Sequence, residues 1–460
     1  MHYSYYPFRN SLDELDHTDL LLLRDVSEGW YIDYKRQGLK VADTAKHLSA
    51  FANQYGGLLI IGVTETVDGS RSADEFVGIQ NSDLEKVCTS IREASSAHVN
   101  PEVHYEEKII KGPIEEIGLE ADRSIVIIGI PMSYNTPHIH SSGRVYKRIA
   151  DQSKPKEETD RHQLDKMWER SNTHREKVIK NLTSLPALSE QQEKSAWLHA
   201  FIKQSDFENA PVRYLKYNEF KAIVQLQGDK KTPCFAPLDS TTTTVDGFSA
   251  RQTQRNNPTL STMGLRWYRN GTIRLDIPIN SYNAFSFAEQ FKSNPRAVKF
   301  LERLTKNINE EHLKNVKILD YSYLLTCLIS LSGTAVHMLG KTGDNRTTYT
   351  CYSLRNVTHT IPFFDNDKYL ERVELDGIPL TVDDVIRSPE SPSETNMPII
   401  DIDLNSIDFG DVSQTTDAIV KLASAIGIRV LIAVGAMIDP DNHSDFQDFF
   451  QIRLSTEIKQ

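Results

Sequence analysis

Glu28, Asp33, Lys35 and Glu65 are residues of the right types and spacing to do hydrolytic chemistry together. The stretch Trp30-Tyr31-Ile32-Asp33-Tyr34-Lys35 alternates as a strand does. Asp33 and Lys35 therefore project from one face, while Ile32 and Tyr34 point the other way into a core. Glu28 lies just upstream, where a preceding helix ends, and Glu65 follows the apolar run Leu58 to Val63. If the two strands are neighbours, three carboxylates meet at one rim with an ammonium beside them. Carboxylates crowded in this way repel one another unless a divalent cation neutralises them, and oxygen-only ligands select Mg²⁺ or Mn²⁺ over zinc. Such a metal polarises a phosphoryl oxygen and lowers the pKa of a bound water. The lysine orients that water or stabilises charge building on the phosphate. The chemistry expected is phosphodiester hydrolysis. Taken alone the signal is weak, because a solvated surface strand also carries Asp-x-Lys.

These residues need an α/β frame, and the first ~150 residues supply its pattern. Ser11 to Val26 has helical periodicity, Val41 to Gln54 returns to it, and Gly56-Gly57 ends that helix and opens a buried-type strand. A helix over Asp83 to Ser96 and strands over Ser124 to Pro131 and Val145 to Ala150 complete the unit.

The segment Glu28 to Lys35, followed by Ala50-Phe51-Ala52-Asn53-Gln54-Tyr55-Gly56-Gly57-Leu58-Leu59-Ile60-Ile61-Gly62-Val63, resembles the Schlafen-type AlbA_2 domain. That family shows E-x4-E-F-K, then a helix ending A-F-A-N-T-x-G-G that leads into a strand I-G-V-D-D. A later family element, an aromatic and an arginine before a polar loop, is similar to Val145-Tyr146-Lys147-Arg148-Ile149-Ala150-Asp151-Gln152-Ser153. The resemblance covers roughly residues 15–160. It implies a domain that binds nucleic acid and, in active members, a metal-dependent nuclease acting on structured RNA such as tRNA, or on DNA. Its three catalytic carboxylates, which would hold the Mg²⁺ or Mn²⁺, fall on Glu28, Asp33 and Glu65. Asp33 stands where the family usually has Glu, and Glu65 where it usually has Asp. Each change moves a carboxylate by one methylene, in opposite senses. The family also includes members that only bind DNA or regulate.

Several other residues have two readings. Arg144, Lys147, Arg148, Lys154 and Lys156, with Tyr146 interleaved, form either a phosphate-tracking strip or a solvated edge. Gly56 and Gly57 permit a tight helix-to-strand turn, and Asn53 caps that turn or helps to order the site. His138 and His140 have no third ligand and read as surface residues rather than a zinc site. Gly340-Lys341-Thr342 looks like a P-loop end, but Gly333 lies too far back, so nothing supports ATP binding.

The 460 residues, 39% hydrophobic and 25% charged, are of ordinary globular composition and long enough for two or three domains. The net charge of −11 excludes nonspecific coating of DNA and leaves room only for a local basic patch. Cys88, Cys234, Cys327 and Cys351 lie far apart, which points to reduced thiols and, with no basic, apolar leader over Met1 to Tyr6, to the cytoplasm. The longest apolar run, Val430 to Ile438, falls short of a membrane span, so no membrane partner is expected.

The organisation expected is an α/β Schlafen-like AlbA_2 domain over 1–155, a charged helical connector over 156–204 and a mixed α/β region over 205–460 that senses a signal or binds a partner. In that region Leu265 to Ile279 reads as a hairpin about Asn270-Gly271. Helices are expected over Phe287 to Asn307 and Asp320 to Leu331. Strands are expected over Thr347 to Ser353 and Tyr369 to Leu375, with a helix and then a strand over Thr416 to Ile438. Together these readings describe a nuclease held in check by its C-terminal region in a defence or stress response. A homodimer, a higher oligomer or a subunit of a defence complex is the assembly expected, because one lobe alone does not embrace a duplex. The rival reading is a regulatory protein that binds nucleic acid without cutting it.

Overall fold

A computed structural model describes residues 4–436 apart from 67–68, 150–151, 191, 205–214, 227–237, 254–261, 308, 310–314, 343–347, 391–398, 401–406, 408 and 410. The described residues divide into two compact units, one ending at Lys177 and the other beginning at Val178.

In the first unit β1 (Ile32–Lys35) pairs in parallel with β2 (Gly56–Ile61), with Asp33 beside Leu59 and Lys35 beside Ile61. Between them runs α1 (Val41–Asn53). After α2 (Asn81–His98) and β3 (Glu106–Lys111), β4 (Arg123–Pro131) pairs antiparallel with both β2 and β3. Alternation splits the sheet into two apolar faces. Leu58, Ile60, Ile125 and Ile127 pack with Ile32 and Tyr34 against Leu12, Leu15, Leu20 and Leu23. Leu59, Ile61, Val126 and Ile128 pack against Leu48 and Phe51 of α1 and Ile91 of α2. The expected N-terminal helix is broken: 3-10 turns at Leu12–Glu14 and Leu22–Asp25 flank a short helix, His17–Leu21, that Asp16 caps.

The Gly56-Gly57 turn is dictated by space as much as by dihedral. Gly57 has φ +158°, and a Cβ there would lie 2.3 Å from the Tyr31 carbonyl and 2.6 Å from the Phe51 ring. The same carbonyl accepts the 2.7 Å bond from Leu58 N that docks β2 beside β1. Gly57→Ala is accordingly expected to cost roughly 3 kcal/mol, from overpacking and backbone strain together. An unchanged midpoint in urea unfolding would refute this.

The unit closes with β5 (Tyr146–Ile149), paired antiparallel with β6 (Gln152–Glu157), and then α3 (Arg161–Thr183) as far as Lys177. Arg170 of α3 donates to the carbonyls of Asn53 (2.6 Å) and Gln54 (3.0 Å) at the end of α1. The expected connector over 156–204 is thus only partly helical, because Ala196–Gln204 is a strand, β7.

In the second unit β7 lies between two antiparallel partners, β9 (Thr272–Ile279) and β10 (Thr348–Arg355), within an eight-stranded sheet. The expected hairpin is present: β8 (Gly264–Tyr268) turns through Gly271, φ +79°, into β9. The expected helix from Phe287 is two, Ala284–Gln290 and Pro295–Asn307. Two assignments change type. Residues 369–375 lie in a helix, Asp367–Asp376, capped by Asn366, because Tyr369, Leu370 and Val373 are buried at helical spacing while Leu375 is exposed. The apolar run from Val430 continues a helix, Val412–Ala433, whose buried Leu422, Ile426 and Val430 recur every four residues. Residues 437–438 of that run lie outside the described residues. The helix Tyr321–Thr342 is long and apolar enough to cross a membrane, yet 78% of its apolar window is buried within the protein. Serine, threonine and glycine interrupt it, which is why no long apolar run marks it in the sequence. The Gly340-Lys341-Thr342 triplet ends this helix rather than a phosphate-binding loop. Cys88, Cys327 and Cys351 are buried and form no disulfide with one another; Cys234 lies outside the described residues.

Candidate active site

The candidate site sits at the start and end of β1. Asp33 faces α1, in register with Leu59, and is fully buried. Its Oδ2 lies 2.5 Å from His47 Nδ1 of α1 and accepts a 2.8 Å bond from Arg148 NH1 of β5, itself fully buried. Arg148 also donates to the Gly29 carbonyl at 3.2 and 2.8 Å and stacks its guanidinium 5.0 Å over the Phe51 ring. The other Asp33 oxygen accepts from Lys35 Nζ, which reaches Glu28 Oε1 at 3.4 Å. Tyr34 points to the opposite face, its hydroxyl donating to Val26 O at 2.8 Å. The period-two reading of this strand therefore holds.

Glu28 is held from the far side by a hairpin that sequence reasoning missed. Glu65 bridges Ala73 across it, and Arg71 O accepts from Glu28 N at 2.8 Å. Arg71, in the left-handed region at φ +53°, places its guanidinium on Glu28 Oε2 and, through Nε, 3.2 Å from Glu65 Oε2. Arg71 thereby joins the Glu28 and Glu65 carboxyls as Lys35 joins those of Glu28 and Asp33. Arg148 holds Asp33 from the inner side.

The electrostatics separate the acids. Burial, followed by the neighbouring Asp33 carboxylate, pushes Glu28 up to about 8 against the pull of Lys35. Burial alone would also raise Asp33, but the His47 hydrogen bond, aided by Arg148, holds it well below the usual carboxylate range. His47 is driven down by burial, partly offset by Asp33. Burial thus favours the neutral form of Glu28, while His47 and Arg148 favour the ionised form of Asp33.

The donor set is carboxylate oxygen, the hard ligand that Mg²⁺ and Mn²⁺ take. Among the described residues no three His, Cys, Asp or Glu side chains close into a metal cage. Mg²⁺ does not need one, since it usually keeps its waters and binds one or two carboxylates plus substrate phosphate. Lys35 and Arg71 hold the oxygens of Glu28, Glu65 and Asp33 Oδ1, and their side chains are 16% and 25% exposed, so both can withdraw toward solvent. Arg148 and His47, 0% and 5% exposed, fix Asp33 Oδ2 permanently. The Glu28 and Asp33 side chains are themselves 0% exposed and Glu65 is 41% exposed, so a hard cation would reach the first two only from the side that Lys35 and Arg71 now cover.

A family model described as Schlafen, AlbA_2 matches residues 28–157. Residues 28–157 form a Schlafen AlbA_2 domain. Such a domain suggests a nucleic-acid-binding or nuclease-like function. A crystal structure of the DIP2311 protein from Corynebacterium diphtheriae is similar over 33% of this chain and 31% of that one, with 18% identity and a TM-score of 0.20. The likeness spans about a third of that protein and is too slight to bear on activity. No curated protein matches the chain.

Within the AlbA_2 domain the expected phosphate-tracking strip loses Tyr146 and Arg148 to the interior, whereas Lys147 lies opposite Lys156 across the hairpin. Lys147 and Arg148 are adjacent in β5 and so face opposite sides. Arg148 and Tyr146 are buried, while Lys147 pairs with Glu158 at 2.9 Å. Arg144 pairs with Glu157, and Lys154 and Lys156 are exposed. Arg148 consequently belongs to the acid site. Asn53 is structural: its Nδ2 donates to the carbonyls of His138 (3.0 Å) and Tyr146 (3.2 Å), which fixes β5 against α1. His138 and His140 are buried, not surface, and bond the carbonyls of Pro101 (2.8 Å) and Ala42 (3.1 Å). Burial pushes His138 down to about 4, as befits a neutral packing group. His47 lies among the apolar α1 positions Ala45, Leu48 and Phe51, so only its place on the buried face of α1 could have marked it.

Proposed function

We propose that the AlbA_2 domain is a Mg²⁺- or Mn²⁺-dependent endonuclease that hydrolyses phosphodiester bonds of tRNA-like RNA or of DNA. The observation that supports this is that Lys35 links the Glu28 and Asp33 carboxyls while Arg71 links those of Glu28 and Glu65. Glu28, Asp33 and Glu65 would hold the ion. When bound, it would polarise the phosphate and acidify a water. Lys35, displaced from the carboxylates, offers its charge to the phosphate oxygens. Arg71, released from Glu28 and Glu65, does the same from the hairpin side. Arg148 and His47 keep the Asp33 carboxylate oriented and ionised without touching substrate.

The reading extends to a cytoplasmic protein whose second unit regulates the nuclease in a defence or stress response, as a homodimer, a higher oligomer or a subunit of a larger complex. A second reading, nucleic-acid binding without cleavage, is favoured by one fact: Lys35, Arg71 and Arg148 already occupy the oxygens of the three acids.

The test incubates the purified chain with tRNA, single-stranded DNA and duplex DNA, in Mn²⁺ or in EDTA. Cleavage in Mn²⁺ that EDTA abolishes is expected. Binding with no cleavage of any substrate would leave the second reading.

A further inference from the structure

Next to the acid site the domain exposes a cluster of aromatic rings that the reaction chemistry does not use. Trp30, Tyr55 and Tyr5 are 38%, 43% and 42% exposed, and half-buried Tyr31 lies between them. Trp30 meets Tyr55 edge-on at 5.8 Å, Tyr31 tilts against Tyr55 at 5.8 Å, and Tyr5 against Tyr31 at 5.5 Å. None of these pairs is a parallel stack, so the rings do not use up their faces on one another. Isolated exposed aromatics are ordinary, but a contiguous group of them marks an interaction surface.

The backbone beneath is pinned on each side. Arg148 holds the Gly29 carbonyl, Leu58 N donates to Tyr31 O at 2.7 Å, and Ser4 N donates to Tyr55 O at 3.2 Å. Trp30 is two residues from Glu28, so the platform and the acid site share one loop. The three acids are matched by three cations, of which Lys35 and Arg71 reach solvent. A phosphate arriving there meets no net repulsion and has two positive partners.

We propose that Trp30, Tyr55, Tyr31 and Tyr5 form a stacking platform for unpaired nucleobases, so that the domain takes single-stranded nucleic acid or the unpaired loops of a folded one. This rests on the proposed phosphodiester chemistry of the adjacent site and narrows its substrate class. Bases in a duplex keep their faces against each other, whereas unpaired ones are free to stack on aromatic side chains, without strong sequence preference.

The test measures fluorescence anisotropy of the full chain with a labelled oligothymidylate, an abasic oligomer of the same length and a matched duplex, in EDTA so that nothing is cut. Trp30→Ala with Tyr55→Ala is expected to weaken oligothymidylate binding about 10- to 100-fold, with the abasic strand and the duplex unaffected. Trp30→Phe keeps a ring and is expected to stay within about threefold of wild type, while losing the quenching of tryptophan emission that accompanies binding. Thermal unfolding should be unchanged, because the rings are exposed. A wild type that binds the abasic strand as tightly as oligothymidylate overturns the platform. So does an equal loss on all three probes, or no loss at all. Cleavage in Mn²⁺ is read separately. Base-dependent binding without cleavage sinks the nuclease and leaves the platform standing, while cleavage by the double variant at wild-type efficiency does the reverse.

Discussion

Glu28→Gln is expected to lower cleavage by at least about 10²- to 10³-fold, on the scale of losing one preorganised electrostatic group at a reacting phosphate, while the protein stays folded. Glutamine keeps the shape and the hydrogen-bonding capacity of the protonated carboxyl that burial already favours at this position. The sign of the linkage supports this. A glutamate raised from an ordinary value of 4.5 to about 8 binds its proton more tightly folded than unfolded, so its contribution to stability is present below pH 4.5 and lost as pH climbs toward 8. The variant should lose that decline and be no less stable than wild type above pH 8. Parallel cleavage assays and urea titrations separate the two effects. A variant that cuts at the wild-type rate excludes Glu28 from the chemistry, and one that unfolds shows the carboxyl to be a structural element instead.

Arg148→Met carries the opposite expectation, a large stability loss. The guanidinium and the Asp33 carboxylate are both fully buried, and the arginine also satisfies the Gly29 carbonyl and covers Phe51. Removing one partner of such a pair leaves a charge in the interior and costs about 3–5 kcal/mol. Arg148→Lys should rescue little, because a single ammonium cannot serve Asp33 Oδ2 and Gly29 O in the geometry of the planar fork. Adding Asp33→Leu to Arg148→Met should recover part of the loss by taking away the stranded carboxylate. Chemical denaturation of wild type, Arg148→Met, Asp33→Leu and the double variant gives the cycle directly. A loss under about 1 kcal/mol for Arg148→Met would show that water or Lys35 replaces the guanidinium.

The part of this site that was readable in advance rested on local periodicity. Alternation along 30–35 correctly sent Asp33 and Lys35 one way and Tyr34 the other, and the glycine pair after Asn53 marked the start of the strand that Glu65 follows. Arg71 could not be found this way. Its position comes from a hairpin in which Glu65 bridges Ala73, and nothing in Gly69-Ser70-Arg71-Ser72 signals which backbone it will lie against. Arg148 was visible but was assigned to the wrong face. The charges at 144, 147 and 148 read as one strip, whereas the strand pleat sends Lys147 outward and Arg148 inward with Tyr146. In the second unit the same limit applies to 369–375, where apolar spacing over seven residues suits either a strand or a short helix until the cap at Asn366 is recognised.

The position of β7 has a consequence for how the chain is made. Its two neighbours, β9 and β10, are supplied by residues 272–279 and 348–355. As the polypeptide leaves the ribosome, this central strand must wait for roughly 150 further residues before its second edge is covered, on the order of ten to thirty seconds at ~5–20 residues per second. Until β9 is made both edges are open, and from then until β10 emerges one edge and an apolar face stay open to other nascent chains. The AlbA_2 domain lies within the first unit, whose described residues end at Lys177, and can complete its folding before then, so this part is born first and the remainder is the step that a chaperone must guard.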